Sequence, residues 1–239
     1  MAGFALKNHQ FCTAPVVQVL QPRFPNLRLL SYLVMNNVAG GLGEDTVRLA
    51  LALGVDIVSF PTIDAVHHLV SRGKSPDAGV RISEESRLTA EARRVIELVA
   101  DADRVIATGH SSPTESLLII RHAASVGARR ILFTHVTSGR ISAPVELQRE
   151  AAALGAVIEH AYESTRAHVD MPTQVATIAD QIRAVGSRHC ILTTDFGQVE
   201  NPPFTEGLAM FASELVDAGV PVDDIRRMIV DQPSRLVDR

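Results

Sequence analysis

Apolar positions along this chain fall into two alternating patterns. Stretches with apolar residues three and four apart end at a glycine, and short runs that are apolar throughout follow and stop at a polar residue. The unit appears as Leu49–Gly54 into Val55–Thr62, Pro113–Gly127 into Ile131–His135, Ala143–Gly155 into Ala156–His160, and Pro172–Gly186 into Cys190–Asp195. The first half reads as an amphipathic helix, and its glycine suits the left-handed residue that follows a last helical turn. The second half, rich in branched and bulky residues, reads as a strand covered on both faces, as in a parallel sheet. Helix starts are predicted at Ser112-Pro113, at Thr13 before Pro15, and at Thr89 ahead of Ala90-Glu91.

Seven strands follow from this reading: Phe4–Asn8, Leu29–Met35, Val55–Ser59, Arg104–Thr108, Ile131–Thr134, Ala156–Glu159 and Cys190–Thr194. Most lie about 25 to 33 residues apart, the spacing of successive βα units. Between Phe60 and Thr89 the pattern lapses, and Asp64–His68 leads into the polar run Ser71–Gly79, which reads as a long loop over a site. Gly40, Gly41 and Gly43 lack the lysine of a phosphate loop and mark a tight turn before a helix at Glu44. No Gly-x-Gly-x-x-Gly follows the first strand, which disfavours a doubly wound sheet. The expectation is one α/β domain over residues 1–239, a TIM-like (β/α) barrel with seven strands visible. A closed eight-stranded barrel needs one more, so the first βα unit is expected to be missing or incomplete.

Composition narrows the partners. The 239 residues are 46% apolar and 21% charged, ordinary for a globular chain and too apolar for wholesale disorder. Net charge is −4 with both signs interspersed, so no basic block exists to engage nucleic acid. Arg48 and Asp56 break the longest apolar stretch, and none reaches the roughly 20 residues of a membrane span. The segment Met1–His9 lacks the charged start and apolar run of a signal peptide. Two cysteines, Cys12 and Cys190, cannot form a disulfide framework and read as packing residues in a reducing compartment. A cytoplasmic protein without membrane or nucleic-acid partners is expected.

In a parallel barrel the C-terminal ends of the strands ring one mouth, where active sites sit. Those positions here hold Lys7, His9, Asn36, Thr62, Asp64, His110, His135, Glu159, His160 and Asp195. Imidazole and carboxylate are natural ligands for zinc and similar divalent ions, which bring the pKa of a bound water to about 7. One histidine after a strand is more often structural. Histidine at two successive strand ends, His110 and His135, with Asp195 closing the series, points to a metal. Glu159 and His160 alternate along a strand, so only one faces the interior. His67 and His68 sit together in the long loop and read as either solvated or binding; His122, His168 and His189 read as surface residues.

These strand ends carry a resemblance. Ala107–Pro113, Leu132–His135, Val157–His160, Ile191–Gly197 and the ending Asp231–Val237 together resemble the amidohydrolase superfamily of metal-dependent hydrolases, closest to an uncharacterised bacterial branch. The resemblance implies a TIM-like barrel that hydrolyses a carbonyl substrate (amide or lactone) or a phosphoester with metal-activated water. It implies a divalent metal, zinc first and manganese or iron as alternatives, held by His9, His110, His135 and Asp195. Asp195 would also be the catalytic base, with Lys7, Asp64, His67, His68, Glu159 and His160 binding substrate or supporting the ligands. The implied partner is a small-molecule substrate, and exposed strand edges would favour a homo-oligomer. Two features depart from the superfamily: the chain has no His-x-His, and Asp64 stands near the place of a bridging lysine or glutamate. Three readings stay open: a late start that omits the first unit, a single metal held by the four named residues, or a catalytically silent barrel that binds a small ligand or partner subunit.

Overall fold

The computed structural model describes residues 2–166 and 171–238; His168 lies outside the described residues. The chain divides into two compact units, 1–132 and 133–239. The first carries β1 (Gly3–Leu6), α1 (Ala14–Leu20), β2 (Arg28–Val34), α2 (Glu44–Ala52), β3 (Ile57–Ser59) and α3 (Val66–Ser71). A short antiparallel hairpin follows, β4 (Ser83–Glu84) and β5 (Arg87–Leu88), then α4 (Ala90–Asp101), β6 (Val105–Ala107), α5 (Pro113–Ser125) and the start of β7 (Ile131–Phe133). Within this unit β1, β2, β3, β6 and β7 pair in that order, all parallel, with Phe4 opposite Leu29, Val58 opposite Ile106 and Ala107 opposite Leu132.

The second unit carries α6 (Val145–Ala153), β8 (Ala156–Ala161), α7 (Glu163–Arg166), α8 (Met171–Val185), β9 (Cys190–Thr193), α9 (Phe204–Asp217), α10 (Val222–Arg226) and α11 (Gln232–Val237). β8 and β9 are parallel, from Ile158 opposite Cys190 to Ala161 opposite Thr193. Seven parallel strands therefore alternate with helices, the α/β architecture that the periodicity predicts. Every residue of β3, β6 and β7 is buried, as strands covered on both faces require.

Local chemistry sets the helix starts where the sequence places them. Thr89 accepts the Ala92 amide at the head of α4, which buries Ala92, Val95, Ile96 and Val99 on one face. At α5, Ser112 Oγ accepts the Glu115 amide and Glu115 accepts the Ser112 amide, a reciprocal cap that satisfies two otherwise orphaned donors. The glycine run ends in α2, which starts at Glu44 as expected. Among the described residues no helix is long and apolar enough to cross a membrane.

One expectation is corrected. The segment between β3 and α4 is not one long loop: it folds into α3, a 3-10 turn at Pro76–Ala78 and the β4–β5 hairpin. Helix α3 buries only His68 and Leu69, too short an apolar stripe for a helical period to register in the sequence. Its return is fastened by the Val80 amide on Asp64 O (2.8 Å) and by Asn37 Nδ2 on Ala78 O (2.9 Å). The cysteines are packing residues as expected: burial pushes the Cys190 thiol up to about 12 and raises that of Cys12, so neither is a ready thiolate.

Candidate functional site

In the first unit, a single amide ties three strand ends together. The side chain of Asn36, wholly buried beyond β2, donates through Nδ2 to His9 O (2.9 Å) and Thr62 Oγ1 (3.0 Å). Its Oδ1 accepts the amides of Thr62 (2.9 Å) and Asp64 (3.3 Å). Two donors and two acceptor positions are thus all used, which fixes the loops after β1, β2 and β3 against one another. The Thr62 hydroxyl lies 2.8 Å from His9 Nδ1, so Nε2 is the atom through which His9 could meet a ligand. Asp64 accepts the Asn37 amide (2.8 Å), and Lys7 Nζ lies 6.0 Å from the centre of the Tyr32 ring.

His110 is placed by a backbone kink. Gly109 has φ +63°, and a Cβ there would stand 2.3 Å from Phe60 O and 2.5 Å from Pro61 O. Only glycine lets the strand end come this close to the neighbouring carbonyls, and the His110 amide then donates to Pro61 O at 2.9 Å. The imidazole of His110 meets that of His68 on α3, with Nδ1 to Nδ1 at 3.0 Å, ring centres 5.0 Å apart and planes 25° from parallel. His68 is buried; His67 beside it is half-buried and stands outside this pair.

The second unit gathers His135, Glu159 and Asp195. His135 Nδ1 lies 2.9 Å from Glu159 Oε2, which also accepts the His135 amide at 3.2 Å. On the opposite edge of the ring, Nε2 lies 3.4 Å from Asp195 Oδ2. His135 and Glu159 are buried, while the Asp195 side chain keeps 28% of its surface exposed. Both His135 (φ +52°) and Asp195 (φ +51°) hold left-handed backbones, unusual for residues with side chains. Each such residue stores roughly 1–3 kcal/mol of strain, which concentrates at functional sites.

The alternation along β8 is resolved here: Glu159 reaches His135, and His160 turns to the other face. His160 has no exposed surface and its Nδ1 lies 3.2 Å from Thr137 Oγ1, while Gln174 Nε2 donates to Thr137 O. Burial lowers the His160 pKa to about 4, below the 6.5 of an exposed imidazole. The unfolded chain therefore binds the extra proton first. The stability this residue contributes is complete above about pH 6.5 and is lost as the pH falls toward about 4, by up to about 3 kcal/mol. Urea melts between pH 7 and 4 should show this loss, and His160→Gln should flatten it.

Two of the expected ligands stand close together in the second unit. Two ligands each about 2.0–2.2 Å from one zinc ion at a tetrahedral angle stand about 3.3–3.6 Å apart. The 3.4 Å between His135 Nε2 and Asp195 Oδ2 falls in that range and is long for a hydrogen bond. Glu159 stands on the far nitrogen, a carboxylate that holds the orientation of the His135 ring. Among the described residues no group of three or more His, Cys, Asp or Glu is placed to hold a metal ion. The four ligands expected from the sequence are instead met in separate contacts: His9 with Thr62, His110 with His68, and His135 with Asp195. Directly after Asp195, the run Phe196–Phe204 lines a cleft of about 320 Å³, with Phe196, Val199 and Pro202 beside the amides of Gln198 and Asn201.

In the sequence, Asn36 and Thr62 stand out only as strand-end residues; an asparagine at the mouth between two histidine-bearing strands is the available signal. The His68–His110 contact and the left-handed backbones carry none.

The fold defines a class. A search of solved structures returns an amidohydrolase from Pseudomonas aeruginosa with a TM-score of 0.65 at 11% identity, spanning 98% of this chain and 78% of that one. It also returns a mutant organophosphorus hydrolase from Deinococcus radiodurans (TM-score 0.61, 12% identity, 93% and 74% covered). A zinc-bound amidohydrolase from Burkholderia multivorans matches at 0.52 and 13% identity, over 93% and 87% of the two chains. The fold is the TIM-like (β/α) barrel that these solved structures share. The chain belongs to the family of unknown function DUF6282, whose pattern matches residues 1–159. No curated protein matches the chain.

Proposed function

We propose that this protein is a metal-dependent hydrolase acting on a carbonyl or phosphoester substrate. The observation that carries the reading is the second-unit triad: His135 Nε2 and Asp195 Oδ2 stand at the separation of two ligands, with Glu159 behind the imidazole. A bound divalent ion, zinc first for this nitrogen and oxygen donor set, would supply Lewis acidity and a water of lowered pKa. Asp195 then takes the proton of the attacking water, since it is the member of the triad open to solvent. Glu159 holds the ring of His135 so that Nε2 faces the ligand position. His9 and His110, the other nitrogen donors expected from the sequence, belong to the first unit. The cleft lined by residues that follow Asp195 in sequence, among them Phe196, Val199 and the amides of Gln198 and Asn201, is the candidate for the substrate body. The fold neighbours include an amidohydrolase and an organophosphorus hydrolase, so amide, lactone and phosphoester classes all belong in the search.

The test is elemental analysis of protein purified without chelator, followed by zinc, manganese and iron add-back and a panel of esters, lactones, cyclic amides and phosphoesters. About one equivalent of metal together with metal-dependent turnover of any class supports the reading. Glu159→Gln keeps the shape and removes the charge, so zinc affinity should fall about 10–100-fold with the fold intact by circular dichroism. One observation favours a second reading, a non-catalytic barrel that binds a small ligand: the described residues hold no group of three ligands. A chain that takes up no metal at all under add-back would establish that reading in place of the first.

A further inference from the structure

We propose that the cleft lined by Phe196–Phe204 selects its ligand by charge, taking an uncharged ring-bearing group with an N–H to donate and turning anions away. This rests on the hydrolase reading above and narrows the substrate of that site to one whose body is neutral. Charge is the first argument. None of the eight described residues that line the cleft is charged. From Cys190 to Ile225 the sequence holds no Lys, Arg or His and carries seven carboxylates, with Glu200 inside the lining run itself. An anion entering there meets like charge along the chain and no counter-ion, and desolvating an unpaired charge is costly. Helix α9 begins at Phe204, but Glu206 in its first turn already meets the positive end of the helix dipole.

Hydrogen-bonding capacity is the second argument. Gln198 Oε1 accepts the Gly197 amide at 3.1 Å, which fixes that end of the side chain as the acceptor. The same oxygen accepts Asn201 Nδ2 at 2.6 Å, so Asn201 Oδ1 is the end turned away from this pair of bonds. A backbone N–H thus decides, through two side chains, that the cleft presents an acceptor. An amide can donate to it, whereas a carboxylate has no hydrogen to give. Gln198 Nε2 also reaches Asp195 O at 3.3 Å, which ties the cleft to the backbone of the proposed base. The aromatic wall is set in advance. The Phe196 ring lies 5.6 Å from that of Tyr162, and a Cβ at Gly207 would stand 2.3 Å from Phe196 Cε2, so only glycine leaves the ring its room. Tyr162 is held in turn by its hydroxyl on Glu214 Oε1 at 2.6 Å. At about 320 Å³ the cleft is at the small end for ligand sites and suits a single ring with a short substituent.

The experiment compares two probes of one shape, phenylacetamide and phenylacetate, by ¹⁵N–¹H correlation spectra of the full chain at neutral pH. Phenylacetamide should shift the amide resonances of Gly197, Val199 and Phe204, and phenylacetate should bind at least about 10-fold more weakly. Val199 is fully exposed, so Val199→Lys sets a cation at the cleft without touching the core and should narrow or reverse that preference. Equal affinity for the two probes, or no shift at these residues with either, overturns the proposal, as does a preference that Val199→Lys leaves unmoved. Metal content judges the hydrolase reading separately. Metal-dependent turnover without probe selectivity keeps that reading and removes this inference. Probe selectivity in a chain that takes up no metal keeps the charge selection and removes the hydrolase reading.

Discussion

Asp195→Asn should leave the protein folded while depriving it of metal and of turnover. Asparagine matches aspartate in shape and is among the few residues that accept a left-handed backbone, so the φ of +51° at this position is tolerated. What disappears is the charge that would bind the cation and the group that would accept the water's proton. Loss of a general base alone costs about 10²–10⁴-fold in rate. Zinc affinity should fall by at least the roughly 10–100-fold that removal of an outer partner produces. Asp195→Ala is the poorer probe, since alanine at positive φ adds about 1–2 kcal/mol of backbone strain to the chemical loss. Parallel melts and elemental analysis of the two variants separate these effects. Full metal content in Asp195→Asn would remove Asp195 from the ligand set.

Gly109→Ala should produce the largest loss of stability among single methyl additions in the first unit. The new Cβ would enter at 2.3 Å from Phe60 O and 2.5 Å from Pro61 O, both backbone atoms that no rotamer change can move aside. The φ of +63° adds the left-handed penalty of a side chain. Together these should cost about 2–5 kcal/mol, or roughly 5–15 °C in melting temperature for a chain of this size. Any fraction that folds should show a displaced His110, because the His110 amide bond to Pro61 O cannot form with the strand end pushed outward. A melting temperature within a degree of wild type would refute the close approach. Gly54→Ala is the control, since its Cβ meets nothing within 4 Å and its penalty is conformational only.

Much of this is legible along the chain, and the limits have physical causes. Buried parallel strands announce themselves because both faces must be apolar, so β3, β6 and β7 stand out as unbroken runs. Caps such as Thr89 and the Ser112–Glu115 pair are local in sequence and therefore readable. Helix α3 is not readable, because two buried residues make no period. The candidate residues are found by their place at strand ends, but their pairings are not. His68 with His110 spans 42 residues and depends on how a short helix folds back, which no pattern of residue types encodes. Glu159 over His160 is undecidable from alternation alone; the direction of β8 relative to His135 settles it.

The Asn36 amide has a consequence for how such a mouth can diverge. Its four hydrogen bonds join the ends of three strands, so no one of those loops can be lengthened or redirected without breaking bonds that serve the other two. Even the isosteric acid cannot stand in, because it lacks the two hydrogens given to His9 O and Thr62 Oγ1. Evolutionary drift at the first unit's mouth is therefore coupled, three loops moving together or not at all. Novelty in ligand choice has an easier path through segments without such a knot, and the run around the fully exposed Val199 offers one.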